Sequence, residues 1–341
     1  AYTGRPPVDS ITQGLLGAAI GEAGFRRRLG GRAVGWSVLC AVAPDFDIAA
    51  GLAGEWASLV HHRGVSYSWI AQTLVAPLLG AFAWRFVGQR RGTWWQWAHL
   101  TWWALVTHPA LDVCTAYGTQ LFAPLTRARY AIDAISIVDP LYTLPLLVAA
   151  LVAWRGEDGP RRRRIAVAAL ILSTAYLAFG VVQNQRAIAR AEADLEARGD
   201  FVATEIRALP SLANLFVHRI AARDGAGRFR VALLSLSAPR PLVWHQGVDD
   251  QGPLVRAAKR SERGRLFAWF AMGYARFERR ETPEGPVVRI GDLRYGSRVR
   301  PLESMWGAEA RFDADGELRE VVRWQSRREM DLDLELRTLW A

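Results

Sequence analysis

A chain of 341 residues that is 51% hydrophobic, with 15 tryptophans and a net charge of +10, has room for two domains. Its mean hydropathy of only +0.03 requires a very apolar part offset by a very polar one. Two cysteines, Cys40 and Cys114, both in apolar stretches, exclude a disulfide-built scaffold, and the basic excess narrows the partners to nucleic acid or anionic lipid until the arginines are placed.

The N-terminus AYTGRPPVDS is polar and lacks the pattern of a cleavable signal peptide. Two short apolar runs follow, residues 12–25, rich in Gly and Ala, and 33–44. Four longer runs, 65–87, 93–114, 137–154 and 165–182, come near the roughly 20 apolar residues that a spanning helix needs. The expected fold is therefore a membrane α-helical bundle of about five to six segments over residues 1–184. Arginines cluster in FRRRLGGR (25–32), at Arg85, Arg90 and Arg91, and in RGEDGPRRRR (155–164). If the segments alternate, these loops share one side, which the positive-inside rule makes cytoplasmic. That topology accounts for the basic excess without nucleic acid, and it places the C-terminal part in the periplasm of a bacterium.

Residues 185–200 read as a charged connecting helix. Beyond it, β-rich stretches at 201–208, 215–222, 229–236, 287–293 and 317–324, with a helical, aromatic-rich run at 256–278, predict a soluble α+β domain over 201–341. Its sheet should be mainly antiparallel. His218 and His245 in it are isolated, and the domain shows no catalytic motif, so its expected partner is a protein.

Acids and histidines converge on the periplasmic side of the bundle. APDFD supplies Asp45 and Asp47, LVHHRGVSYS supplies His61, His62 and Arg63, and RYAIDAISIVDP adds Asp133 and Asp139. His108 and Asp112 are four apart in THPALD and share a helical face. Residues 33–44 reach only about 18 Å as a helix, so Asp45 should lie below the membrane surface, where a bare carboxylate is costly. Pairing with a metal or with Arg63 offsets that cost. The ligand types suit zinc, with manganese or magnesium as alternatives, and the candidate ligands are Asp45, Asp47, His61, His62, His108 and Asp112. Arg63 is placed to hold a phosphate in two-point contact. Asp139, before Pro140, is equally a helix N-cap.

The blocks DSITQGLLGAAIGEA, PDFD, HHRGVSYS, HPALD with TAYGTQLFAP, and IVDP together resemble the YdjM-type family of inner-membrane proteins classed as metal-dependent hydrolases, over roughly residues 9–185. The resemblance implies a hydrolytic site of Asp45, Asp47, His62, Arg63, His108 and Asp112, with His61 and Asp139 beside it. Many relatives carry a His where this chain has Tyr67, and some carry one where it has Gln13.

These readings predict a membrane hydrolase working at the periplasmic leaflet on a lipid or polyprenyl phosphoester. Metal-activated water attacks phosphorus. Asp45 or Asp47 binds metal or orients water, Arg63 stabilises developing charge, and Asp139 joins them as a catalytic candidate. Gln13, Tyr67 and Asp133 support the ligands. The rival readings are a lipid ester or amide hydrolase, a metal-ion transporter, and a non-catalytic assembly protein with a structural metal. Transport predicts ionisable groups on both halves of the bilayer, whereas here they gather on one.

Overall fold

The computed structural model describes residues 9–155, 159–238, 240–296 and 300–325. The start of the polar N-terminus, the middle of the loop at 155–164 and the last part of the C-terminal domain lie outside the described residues. The chain divides into two compact units, Ala1–Val181 and Val182–Ala341.

In the first unit α1 (Ser10–Ile20) runs through a π-helical turn (Gly21–Phe25) into α2 (Arg26–Leu29). α3 (Arg32–Val42) passes into a 3-10 segment (Ala43–Ala53), and α4 (Glu55–His61) follows. A 3-10 turn (Val65–Tyr67) leads into α5 (Trp69–Phe82), which a π-helical turn extends to Val87. Next come α6 (Trp94–Val113), α7 (Pro140–Arg155) and α8 (Pro160–Arg198). Caps written in the sequence start several of them. Asp9 accepts from the Thr12 amide at 3.1 Å, and Thr93 with Gln96 forms a reciprocal capping box on α6.

Among the described residues two helices are long and apolar enough to cross a membrane, Trp69–Val87 with 19 residues and Pro160–Arg198 with 39; α7 is a shorter apolar helix. α6 fills the predicted run with 20 residues, but Gln96, His99, His108 and Asp112 reduce its apolar character. Residues expected to form a separate connecting helix from 185 are instead the last turns of α8, which ends at Arg198.

Small residues let the helix backbones touch. A Cβ on Gly17 would lie 2.5 Å from Ala41 Cβ, which binds α1 tightly to α3, and one on Gly80 would lie 2.3 Å from Ala98 Cα, which does the same for α5 and α6. Trp36, Trp97, Leu100 and Ala104 form the core between them. Trp36 Nε1 donates to Thr101 Oγ1 at 2.8 Å, tying α3 to α6.

Asp139 begins α7. Its Oδ1 accepts from the Leu141 and Tyr142 amides at 3.0 and 3.3 Å, and Tyr176 of α8 donates to both carboxylate oxygens at 3.2 Å. Asp139→Ala should cost about 1 kcal/mol, read as a lower thermal midpoint in detergent.

Among its described residues the second unit holds two four-stranded antiparallel sheets. One is β1 (Glu205–Ser211), β2 (Asn214–Arg223), β3 (Arg228–Ser235) and β4 (His245–Val248), in that order. α9 (Pro253–Arg260) and α10 (Glu262–Phe270) precede the other, β5 (Ala275–Thr282), β6 (Gly285–Asp292), β7 (Trp306–Phe312) and β8 (Leu318–Gln325). The helix expected through 278 stops at Phe270, because Met272 and Gly273 take φ of 51° and 86° and turn the chain into β5.

His218 on β2 is fully buried, and neither ring nitrogen has a hydrogen-bond partner. Burial pushes its pKa down to about 4 from 6.5. Above pH 6.5 the imidazole is neutral in both folded and unfolded chains and adds no pH dependence. As pH falls from 6.5 to 4 only the unfolded chain takes up the proton, so stability declines by about 3 kcal/mol over that window. His218→Phe should flatten this slope in denaturation followed by the β-sheet circular dichroism signal.

Candidate functional site

Three stretches of the first unit meet around His108. α6 presents His108 and Asp112 one turn apart, the start of the 3-10 segment after α3 presents Asp45, and the 61–68 loop brings Arg63 and Tyr67. The turn at 120–123 fixes that loop from the other side. The Gln120 amide donates to Arg63 O at 3.0 Å, the Trp69 amide to Leu121 O at 3.0 Å, and Ser68 Oγ to Ala123 O at 2.5 Å. Arg63 itself sits at φ 57°, a left-handed conformation that aims its side chain inward.

His108 is 1% exposed. Its Nδ1–H donates to Ala41 O at 2.5 Å, which leaves Nε2 to hold either a second proton or a metal. Nε2 has no hydrogen-bond partner, and it faces Asp45 Oδ1 at 3.3 Å and Asp112 Oδ2 at 3.7 Å. A lone pair looking at two carboxylates is repulsive unless a cation, proton or metal, lies among them.

Other donors already serve those carboxylates. Tyr67 Oη donates to Asp45 Oδ1 and Ser10 Oγ to Asp45 Oδ2, both at 2.5 Å. Gln13 Nε2 donates to Asp112 Oδ1 at 3.3 Å and to His108 O at 3.2 Å. Arg63 Nε pairs with Asp112 Oδ2 at 3.1 Å, while its Nη1 donates to Thr115 Oγ1 at 3.1 Å and its guanidinium lies 4.8 Å from the Tyr117 ring centre.

The six predicted ligands therefore divide. Asp45, His108 and Asp112 converge. Asp47 and His62 form a second pair, Nδ1 to Oδ1 at 2.8 Å, and Asp47 Oδ2 accepts from the Arg63 amide at 2.9 Å and Ser66 Oγ at 2.8 Å. His61 ends α4 and is exposed. Asp133 is buried at φ 56° in the 129–139 stretch, and Asp139 caps α7. Among the described residues no group of three or more His, Cys, Asp or Glu stands ready-made to hold a metal ion. The convergent three come nearest, and Tyr67 and Arg63 already hold one oxygen each of Asp45 and Asp112. The feature that fits a cation is Nε2, buried and aimed at both acids.

Ser10, Ser66, Thr115 and Tyr117 were not picked out in the sequence. All four stand inside the DSITQGLLGAAIGEA, HHRGVSYS and TAYGTQ blocks, but nothing local distinguishes a side chain that serves the site from one that faces water.

The model of the family described as YdjM inner membrane protein matches residues 8–187. The chain is also similar to the uncharacterized protein YfhP of Bacillus subtilis (strain 168), at 29% identity over 121 residues. That alignment covers 35% of this chain and 35% of the relative, so the chain spans about a third of its length. No solved structure matches.

Proposed function

Because the chain belongs to the YdjM family of inner membrane proteins, we propose that it is a membrane-embedded hydrolase whose site is Asp45, Arg63, His108 and Asp112, with Asp47 and His62 beside it. Its substrate is the phosphoester of an amphiphile, a lipid or a polyprenyl phosphate. The observation that carries this reading is His108 Nε2, buried without a hydrogen-bond partner and facing two carboxylates. A divalent metal, zinc first and manganese or magnesium next, would be held there by His108, Asp45 and Asp112. Bound, such an ion supplies Lewis acidity and an activated water near neutral pH.

The chain's own groups do the rest. Arg63 offers its guanidinium to a phosphoryl oxygen and stabilises the charge that builds there. The Asp47–His62 pair orients an imidazole for moving a proton. Tyr67 holds Asp45, and Gln13 holds Asp112, at fixed orientation. The segments bearing these residues expose Phe46 (65%) and Val65 (56%), and the turn packed on the 61–68 loop exposes Leu125 (81%). Apolar side chains around a polar site suit a substrate that arrives from lipid. In this reading α6, α7 and the short α1 and α3 complete a bundle of five to six segments around the two long apolar helices. The arginine loops face the cytoplasm, and the second unit faces the periplasm.

The test is the purified protein in nanodiscs with zinc or manganese, set against a panel of phospholipids and polyprenyl phosphates, with products read by mass spectrometry. Metal-dependent release of a phosphorylated or dephosphorylated product is expected. Full metal occupancy with every lipid intact would refute it.

One observation favours a second reading, a non-catalytic assembly protein. Each carboxylate of the cluster already has protein donors, as a purely structural polar core would. Under that reading, removing a structural metal with a chelator lowers thermal stability at most and leaves the cellular role unchanged.

A further inference from the structure

The helices of the first unit touch at one glycine and part at another. A Cβ on Gly21, in the π-helical turn after α1, would lie 2.9 Å from Val34 Cα, so the backbones press together there. One residue along α3, a Cβ on Gly35 would meet nothing within 4 Å. Gly35 lines a cavity of about 410 Å³ among α1, α3, α7 and α8. Ala18, Ala149, Ala150 and Ala166 add to its apolar wall, and Trp154, 79% exposed, belongs to its lining.

The polar end of the cavity is Glu22, Arg26 and Arg162. Glu22 is buried and shared, with Arg26 Nη1 at 3.3 Å and Arg162 Nη2 at 2.5 Å. This pairing draws the starts of α2 and α8 together and sets two arginine-rich segments at one mouth. Over residues 18–35 and 149–166 the sequence has nine arginines and three acids, Glu22, Glu157 and Asp158. An excess of six positive charges therefore remains with every acid counted as paired. Arg27, Arg28, Arg161 and Arg164 are exposed and open to a ligand from outside.

An apolar cleft that ends in a surplus of guanidiniums fits an amphiphile with an anionic head. Guanidiniums take phosphate oxygens, and a basic pocket between membrane helices is where an acidic lipid headgroup lodges. A soluble anion would leave the apolar wall unused, and the ammonium of a zwitterionic lipid would be repelled by the surplus. We propose that this cavity holds one anionic phospholipid, its phosphate among the exposed arginines at the mouth and the start of one acyl chain along Gly35 and Ala166. From Arg162 to Ala166 the wall is about 6 Å deep, at 1.5 Å per residue, so the rest of the chain lies in the bilayer. The inference rests on the membrane embedding and not on the proposed hydrolysis.

Native mass spectrometry of the full chain released from detergent tests it, with EDTA present so that retention is read without turnover. The probes are phosphatidylglycerol and phosphatidylcholine with the same acyl chains. One phosphatidylglycerol per chain should be retained, with about tenfold or greater preference over phosphatidylcholine. Gly35→Leu points into open space, fills the cavity at unchanged charge, and should weaken retention by about tenfold. Arg161→Gln with Arg164→Gln, at exposed positions that leave the Glu22 pairs intact, should shrink the preference between the lipids by a similar factor, and it carries the test if Gly35→Leu misfolds. Equal retention of the two lipids, wild-type retention in both variants, or a dimer mass in place of the lipid adduct overturns the assignment.

Discussion

His108→Ala should lower zinc affinity by more than about 100-fold, since losing a neighbour that merely orients a ligand already costs roughly 10–100-fold. The variant removes the buried nitrogen that faces Asp45 and Asp112 while leaving Tyr67, Ser10, Gln13 and Arg63 on the carboxylates. Competition against a chelator in detergent measures it. Tyr67→Phe makes the complementary case. It withdraws the hydroxyl from Asp45 Oδ1, so zinc should bind more tightly, provided metal and phenol compete for that oxygen. Unchanged affinity in both variants would remove the metal from the proposed mechanism. Hydrolysis of the lipid panel should fall with His108→Ala in the same proportion as metal retention.

Arg294→Met should destabilise the second unit by about 3–5 kcal/mol. Arg294 and Asp292 are paired at 2.7 Å with both side chains 0% exposed, and Arg294 Nη2 also donates to Phe270 O at 2.9 Å. Removing the guanidinium strands a carboxylate in a place that water does not reach. Asp292→Leu combined with Arg294→Met should recover most of the loss, because the cost comes from the unpaired charge rather than from the absent pair. The contrast is Arg279–Glu281, also an arginine–carboxylate pair but 52% and 66% exposed. Arg279→Ala should change stability by less than about 1 kcal/mol. Denaturant titration of the three variants separates the cases.

The helical part of the fold was legible because its signals are long. The runs at 65–87 and 137–154 became α5 and α7 with shifts of a few residues, and Asp139 with Pro140 announced the start of α7. The second unit was less legible. β1, β2, β3, β6 and β8 have enough apolar residues to stand out, whereas β5, ARFERRET, alternates around charged positions and reads as an extension of the aromatic helix before it. β4 is only four residues long. Of the site, the i, i+4 spacing of His108 and Asp112 announced that these two share a face, and Asp45 joins them in space. The separation of Asp47 and His62 into their own pair was not foretold, because it depends on how the 61–68 loop folds over the acids, and Arg63 at positive φ decides that. Arg63 was expected to face a ligand, and it is already joined to Asp112 and Thr115.

The closeness of α5 and α6 at Gly80 has a reach beyond packing. With Cβ clearance of only 2.3 Å to Ala98 Cα, any side chain at position 80 acts as a wedge against α6. Ala98 lies about 15 Å along that helix from His108, at 1.5 Å per residue. The lever would swing His108 and Asp112 while Asp45, carried by the chain after α3, stays behind. A one-methyl change at a glycine buried between two helices would therefore imitate the loss of a site residue without touching one. In any survey of tolerated variation, position 80 should be as intolerant as the acids themselves.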